Sequence, residues 1–246
     1  MRTLDRGLRV LEALSTMREA TISAVAAEVS LSSATTYRLL ETLKHRRFVA
    51  QTTDNGLYHV GIRAFEVGSA LSRMPLHKVA QAEMNALAEE VNETINLAVL
   101  DGREAVIVSQ VSGNRFMRLL THLGARVPLH CTGVGKMLLA HRPVGEIREL
   151  LGSGSYQRVT KNTFTTAASL QRELHRIRQR DYALDDEERE PGVRCLAVPV
   201  RTGSGEVVAA LSIAAPAARV DNAKVKVLAG ILRRSSERIS AQLCRR

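Results

Sequence analysis

The residue types best suited to chemistry sit in three places along the chain. The first, Leu31-Ser-Ser-Ala-Thr-Thr-Tyr-Arg-Leu-Leu40, sets small hydroxyls ahead of an arginine. Wound as a helix from Ser32 or Ser33 to about residue 46, it places Thr36, Leu39, Leu40, Leu43 and Arg47 on one side. The other side carries Ala34, Arg38, Glu41 and His45, flanked by Thr35, Tyr37 and Thr42. A helix N-terminus rich in hydroxyls can hold phosphate oxygens, and an outward arginine can bridge guanine O6 and N7 or take a phosphate. This is chemistry for double-stranded DNA, with Ser32, Ser33, Thr35, Thr36, Tyr37, Arg38, Thr42, Lys44 and His45 as candidate contacts. Lys44, Arg46 and Arg47 close the helix where they can grip the backbone; Arg9 and Arg2 are secondary candidates.

The second place is Gly133-Val-Gly-Lys136, which has the outline of a phosphate loop. The loop motif needs glycine where His130 stands and a hydroxyl where Met137 stands, so that reading fails. The third place pairs Asp185 with Cys195, a possible nucleophile constellation. Cys195, however, opens the apolar run Cys-Leu-Ala-Val-Pro-Val, the setting of a core residue or a pocket wall. The run Asp185-Asp-Glu-Glu188 is acidic, but four consecutive carboxylates do not converge on one ion. The histidines are scattered without metal-ligand spacing. No catalytic residue, metal or cofactor is expected, and the chain reads as a non-enzyme.

The elements that must position these residues follow from hydrophobic spacing. Leu4, Leu8, Leu11 and Leu14 form one helical stripe with Thr3 as its cap. A short helix over 23–29, a break at Ser30-Leu-Ser32 and the helix described above come next. Strands at 48–52 and 57–60 then flank Thr53-Asp-Asn-Gly56, a hairpin signal because Asn-Gly tolerates positive φ. Three short helices and a hairpin make a winged helix-turn-helix. Residues 62–75 read as a linker helix ended by Pro75. Beyond it, helices are expected from 76, at 135–141, 146–151, 168–180 and 222–243. Strands are expected at 94–100, 105–111, 116–121, 195–201 and 206–214. Without strict βαβ alternation, this is an α+β domain with an antiparallel sheet. The boundaries are 1–61, 62–75 and 76–246.

Composition sets the outer limits. Charged residues make up 24%, and aromatics only 3% with no Trp, so rows of rings for stacking bases are excluded. The formal charge of +10 favours an anionic partner. It is spread along the chain: nine Lys/Arg against six Asp/Glu up to Arg63 leave +3 there and +7 beyond. Three distant cysteines and the lack of a signal-like or spanning apolar run suggest a reduced, cytoplasmic protein that avoids membranes.

Several stretches carry a family resemblance: Arg6-Gly-Leu-Arg-Val-Leu-Glu-Ala-Leu14, the helix at 31–40, Pro128-Leu-His-Cys-Thr-Gly-Val-Gly-Lys-Met-Leu-Leu-Ala140, Tyr182-Ala-Leu-Asp-Asp-Glu-Glu-Arg-Glu-Pro-Gly-Val-Arg-Cys195, and Val207-Val-Ala-Ala-Leu-Ser-Ile213. Together they resemble the isocitrate lyase regulator (IclR) family of transcription factors over essentially the whole chain. The resemblance implies a winged helix-turn-helix, a linker helix and a GAF-like effector-binding domain, assembled as a dimer or dimer of dimers on palindromic operators. It implies an effector pocket lined by Thr132, Gly133, Val134, Gly135, Asp185, Cys195, Ser212, Ile213 and Ala214. Relatives with known ligands often take small carboxylates, others aromatic or sugar acids. This chain departs at Ala34, where many members have serine, and at Ala214, where some 2-oxo-acid binders have a second serine.

The residues support the pocket independently. A Gly-x-Gly loop entering a helix offers backbone N–H groups to a carboxylate, and Asp185, Cys195 and Ser212 supply short polar groups. The expected function is therefore a sequence-specific DNA-binding regulator, a repressor of a catabolic operon, controlled by a small organic acid. Its partners are operator DNA, the acid and other copies of itself. The alternative is a small-molecule enzyme using Cys195, with the helix-turn-helix as a protein-contact module. Salt-dependent duplex binding separates the two, because phosphate contacts release counterions.

Overall fold

The computed structural model describes residues 2–70, 75–113, 122–152 and 154–244. The chain divides into two compact units, Met1–Met74 and Pro75–Arg246.

The first unit begins with α1 (Arg2–Met17), β1 (Glu19–Ala20) and α2 (Ile22–Glu28). Thr21, not a residue nearer 23, caps α2 by accepting the Ala24 N–H. Ser30 then takes a left-handed φ of 54° to turn the chain into α3 (Ser33–His45). Ser32 caps α3, as its hydroxyl and spacing indicate, with Oγ accepting the Thr35 N–H at 3.3 Å. Arg47, at φ 63°, closes α3: its N–H bonds Lys44 O, and the Phe48 N–H reaches back to Leu43 O. The hairpin strands β2 (Val49–Gln51) and β3 (Tyr58–Val60) form a sheet in the order β1-β3-β2.

The core of this unit gathers Val10, Leu14, Val25, Leu39, Leu40, Val49 and Tyr58. The leucine stripe of α1 is only half used. Leu4 and Leu8 are 71% and 51% exposed, and Val10 and Ala13 are buried with Leu14 instead. Thr3 lies inside α1, not at its cap.

Beyond the hairpin comes α4 (Ile62–Gly68), shorter than the 62–75 expected for the linker, with residues 71–74 outside those described. No residue of α4 is buried. It is fixed at its base: the Gly61 N–H bonds Phe48 O at 2.7 Å, and the Arg63 N–H bonds Arg47 O at 3.1 Å. A Cβ on Gly61 would lie 2.3 Å from Arg47 O, so only glycine permits this approach.

The second unit is a six-stranded antiparallel sheet. In chain order its elements are α5 (Pro75–Val91), β4 (Thr94–Asp101), β5 (Glu104–Val111), β6 (Arg126–Pro128), α6 (Gly133–Ala140), α7 (Val144–Leu151), α8 (Ala167–Arg180), β7 (Ala183–Asp186), β8 (Val193–Arg201), β9 (Val207–Pro216) and α9 (Asn222–Cys244). Pro75 thus opens a helix, the position where its missing N–H costs nothing. The sheet order is β6-β5-β4-β9-β8-β7. The strand expected at 116–121 lies outside the described residues, and β6 and β7 are short strands that the hydrophobic pattern alone did not reveal.

Side-chain alternation sorts the sheet into two faces. Ile95, Leu97, Leu196, Val198, Leu211 and Ile213 pack with Met84 and Leu87 of α5 and Leu232 of α9. Ala98, Ile107, Ala197 and Ala210 face the other way, toward Met137 of α6 and Leu174 and Ile177 of α8. Alanine is what lets α6 approach that second face closely. Pro199 is tolerated in β8 because β7 pairs only with Arg194 to Ala197, leaving no β7 partner at Pro199.

Candidate functional site

In the first unit, α3 exposes Ser33, Ala34, Tyr37, Arg38, Thr42 and His45, and buries Thr36, Leu39 and Leu40. Of the residues expected to face DNA, all but Thr36 are at least partly exposed. Its side chain is wholly buried and its hydroxyl has no hydrogen-bond partner, so it cannot touch a groove. The 100° winding places Thr36 with the leucines, and the packing against α1 and α2 keeps it there.

The remaining candidates differ in how free they are. Ser32 Oγ bonds Thr35 Oγ1 at 2.9 Å as well as capping the helix. Thr42 spends its proton on Arg38 O at 2.8 Å. Lys44 Nζ is held by Glu41 at 2.5 Å and donates to Gln51 Oε1 at 3.3 Å, and the Glu41 carboxylate raises its pKa. Among the described residues Arg38 has no ion-pair partner, so its guanidinium is available to an external acceptor. Arg9 is committed elsewhere, donating to Val29 O at the end of α2.

In the second unit, residues far apart in sequence meet on the alanine-rich face. Asp185 pairs with Cys195 in the β7–β8 register, Cys195 with Ala214 in β8–β9, and Ala214 with Thr94 in β9–β4. The neighbouring row runs Ala197, Ser212, Asn96 and Gln110. The N-terminus of α6 lies over this region. A Cβ on Gly133 would sit 2.7 Å from Cys195 O, and one on Gly135 would sit 2.5 Å from Leu129 Cα. The two glycines are thus needed for close packing of α6 against β8 and the preceding strand.

Thr132 caps α6, with Oγ1 accepting the Gly135 N–H at 3.1 Å and donating to Pro128 O at 2.7 Å. The Gly133 and Val134 amides, unused within the helix, are directed at Cys195 Sγ. Burial, followed by the charge of Asp185, pushes the Cys195 thiol up to about 12. The sulfur is therefore protonated at neutral pH, the opposite of an activated nucleophile. Ser212 lies near enough to favour the thiolate slightly, yet its fully buried hydroxyl makes no hydrogen bond of good geometry.

Asp185 is buried, and desolvation together with Glu188 raises its carboxyl to about 7. Its Oδ1 accepts the Glu188 N–H at 2.8 Å and the Arg189 N–H at 3.3 Å. One helical turn into α6, Lys136 is fully buried, ion-paired to Glu188 and bonded to Leu184 O at 2.6 Å. Burial raises the Glu188 carboxyl despite that pairing, and its second oxygen has no partner. Lys136 therefore clamps α6 to the turn that carries Asp185.

Ile213 is the one expected lining residue whose side chain is turned away. Strand alternation sends it to the opposite face, among Leu87, Ile95 and Leu196. Among the described residues no three His, Cys, Asp or Glu side chains form a metal cluster, and no helix is long and apolar enough to cross a membrane.

Comparison with known proteins bears on both sites. The model of the bacterial transcriptional regulator IclR C-terminal domain matches residues 68–241, and that of the IclR helix-turn-helix domain matches residues 3–53. The chain belongs to the IclR family.

Two relatives place it further. The IclR-family chain is 34% identical over 235 residues to the HTH-type transcriptional regulator KdgR of Escherichia coli, covering 95% of this chain and 89% of that one. It is 32% identical to the transcriptional repressor IclR of the same organism, covering 98% and 89%. A crystal structure of an IclR homolog from Microbacterium hydrocarbonoxydans, complexed with 4-hydroxybenzoate, superposes with a TM-score of 0.87 at 30% identity, covering 98% of each chain. The expected fold, a helix-turn-helix followed by an α+β domain with an antiparallel sheet, is that of the IclR proteins.

Sequence reasoning missed Thr94, Asn96 and Gln110, which the register brings onto the face of Cys195 and Ser212. It also missed the Lys136–Glu188 clamp. Polar residues alternate with Ile95 and Leu97 in β4, but such alternation ordinarily marks a solvent face. Here they are buried.

Proposed function

We propose that this protein represses a catabolic operon by inserting the α3 of two subunits into successive major grooves, and that a small carboxylic acid controls the binding. Two copies, or two pairs, would read half-sites one helical turn apart or a multiple of it. The observation that carries the DNA reading is Arg38, without an ion-pair partner among the described residues, on an exposed, serine-capped helix beside a hairpin. Ser33, Tyr37 and His45 flank it, and Ser32, Thr35, Thr42 and Lys44 position the surface.

The acid would sit at the N-terminus of α6. The Gly133 and Val134 amides, a protonated Cys195 and the positive end of the helix suit a carboxylate, and Asp185, Ser212, Thr132, Gly135 and Ala214 shape the remainder. An acid regulates only by binding the DNA-competent and incompetent arrangements unequally. The protonated thiol speaks against the enzyme alternative.

The test is fluorescence anisotropy of the full chain on duplexes from the region upstream of its own gene. Arg38→Ala is expected to weaken binding by about 1–3 kcal/mol, roughly 5- to 150-fold, if it reads a base. Affinity that does not fall with salt would sink the regulator reading. A screen of pyruvate, glyoxylate, gluconate and 4-hydroxybenzoate, in which none shifts the melting temperature, would sink the acid-sensing part.

A further inference from the structure

Residues 157–163 form a loop that belongs to neither of the two proposed binding surfaces. Its ends are fastened to each other: Ser155 bridges Thr166, and the Tyr156 N–H bonds Thr165 O at 2.8 Å. Tyr156 and Phe164, on either side of it, pack partly buried against the core of the alanine-rich face. Between them lies Gln-Arg-Val-Thr-Lys-Asn-Thr, whose one apolar residue, Val159, is 40% exposed. The loop therefore has two anchored ends and a body without an apolar anchor.

Hydrogen bonds alone hold that body down. Thr160 Oγ1 donates to Glu187 O at 2.7 Å, Asn162 Nδ2 to Asp186 O at 2.9 Å and Thr163 Oγ1 to Glu188 O at 2.8 Å. His130 Nε2 adds a bond to Gln157 O at 3.0 Å beside the first anchored end. The three carbonyls belong to one turn, which is fixed without the loop. Asp185 accepts the Glu188 and Arg189 N–H groups, and Glu187 accepts the Gly192 N–H at 2.7 Å. The loop also has bonds of its own, from the Val159 and Thr160 N–H groups to Thr163 Oγ1 and from the Asn162 N–H to Thr160 Oγ1. The turn stays in place, and the loop can lift with its shape kept.

Beside its second anchored end lies a charge pair that is better solvated with the loop raised. The Phe164 ring stands 5.0 Å from Lys136 Nζ, Lys136 is fully buried against Glu188, and Glu188 Oε2 has no partner. A buried carboxylate oxygen without a hydrogen bond opposes closure, because water would satisfy it. A few side-chain bonds on one side and this oxygen on the other bring the closed and raised states close in free energy.

We infer that residues 157–163 are a hinged strap, which lifts as one piece from the Asp186–Glu188 carbonyls and lets water reach the Lys136–Glu188 pair. Lifting relaxes the clamp between α6 and the turn that carries Asp185. The strap thus supplies the two-state element that ligand control requires, whichever ligand is sensed.

The strap carries its own reporter, because Arg158 and Lys161 are exposed trypsin sites, and a bond is cleaved only when its segment detaches from the fold. The experiment is limited trypsin digestion of the full chain, followed by mass spectrometry. Cleavage after Arg158 and Lys161 is divided by the rate for a free peptide of residues 155–166 with the same sequence. Cleavage after Arg172 and Arg176, exposed within α8, reports unfolding of the whole unit. Thr160→Val keeps the shape, removes the bond to Glu187 O and is expected to speed strap cleavage roughly 2- to 10-fold. Lys136→Met with Glu188→Leu leaves the main-chain acceptors in place, removes the unsatisfied oxygen and is expected to slow it by about threefold or more.

A folded Thr160→Val cut at the wild-type rate overturns the inference, as does a double variant cut as fast as wild type or faster. A change at Arg172 and Arg176 in parallel with the strap overturns it too, because the loop then opens only when the whole unit does. Asn162→Leu, which loses the bond to Asp186 O from an exposed position, makes the same test if Thr160→Val does not fold.

Discussion

Replacing Asp185 with asparagine is expected to stabilise the ligand-free protein, and by more as the pH rises. The isosteric amide keeps an oxygen where Oδ1 accepts the Glu188 and Arg189 N–H groups, so the change removes charge with little loss of hydrogen bonding. In the folded chain, burial and Glu188 raise this carboxyl from 3.8 to about 7. An unfolded chain sheds the proton near 3.8, whereas the folded one holds it until about 7. Between those values folding takes up a proton, so wild-type stability falls as pH climbs through the window and levels off above it. At about 1.4 kcal/mol per pH unit the ceiling is roughly 4 kcal/mol at pH 8, and relaxation around the charge brings the expected gain to about 1–3 kcal/mol.

Urea titrations of both proteins at pH 5 and pH 8, followed by circular dichroism, read this directly. The variant's midpoint should exceed the wild type's at pH 8, with a smaller gap at pH 5 and an unchanged slope. A gap that is equal at both pH values, or a variant less stable at pH 8, would refute the reasoning. It would mean that Lys136 holds Asp185 ionised against the burial penalty. The same variant is expected to lose its response to the effector, so that the site gains stability by giving up its charge.

Three further outcomes follow from the same structure. Lys136→Met leaves Glu188 buried without its cation and should cost about 3–5 kcal/mol, whereas Lys136→Met with Glu188→Leu should recover most of it; equal losses in chemical denaturation would show that the pair carries no electrostatic weight. Gly135→Ala places a methyl 2.5 Å from Leu129 Cα, so thermal melting should show a destabilised C-terminal unit, and an unchanged melting temperature would contradict the close approach. Thr36→Val removes a buried hydroxyl that has no partner and should be neutral or stabilise by up to about 1 kcal/mol, with duplex affinity unchanged; a drop in affinity would return Thr36 to the DNA surface.

How much of this was legible depended on whether the decisive interaction was local. The α3 helix could be read because its cap, leucine spacing and following hairpin lie within thirty residues. Thr36 was misassigned through its residue type, although its place on the leucine side of the helix was already visible. In α1 the stripe of four leucines promised a buried face, but Leu4 and Leu8 stay exposed while Leu14 is buried and Leu11 packs partly buried beside it, because the helix starts beyond its neighbours. Lys136 reads as a solvent residue until β7 and its turn deliver Glu188, 52 positions away. Asn96 and Thr94 were hidden for a related reason. A polar stripe on a strand means water unless a helix covers that face, and the path of α6 is set in part by Gly133 packing on Cys195, sixty-two positions away in β8. The two-residue β1 and the three-residue β6 exist only as partners of longer strands.

The glycine at the base of α4 has a mechanical consequence. With nothing buried along its length, α4 takes its direction from two backbone bonds at one end, and those bonds go to the residues that terminate the DNA-facing helix. It is a lever whose fulcrum has been welded. A twist applied near Gly68 has no free joint at which to dissipate, and arrives as a rotation of Arg47 and Phe48, the corner from which α3 is aimed.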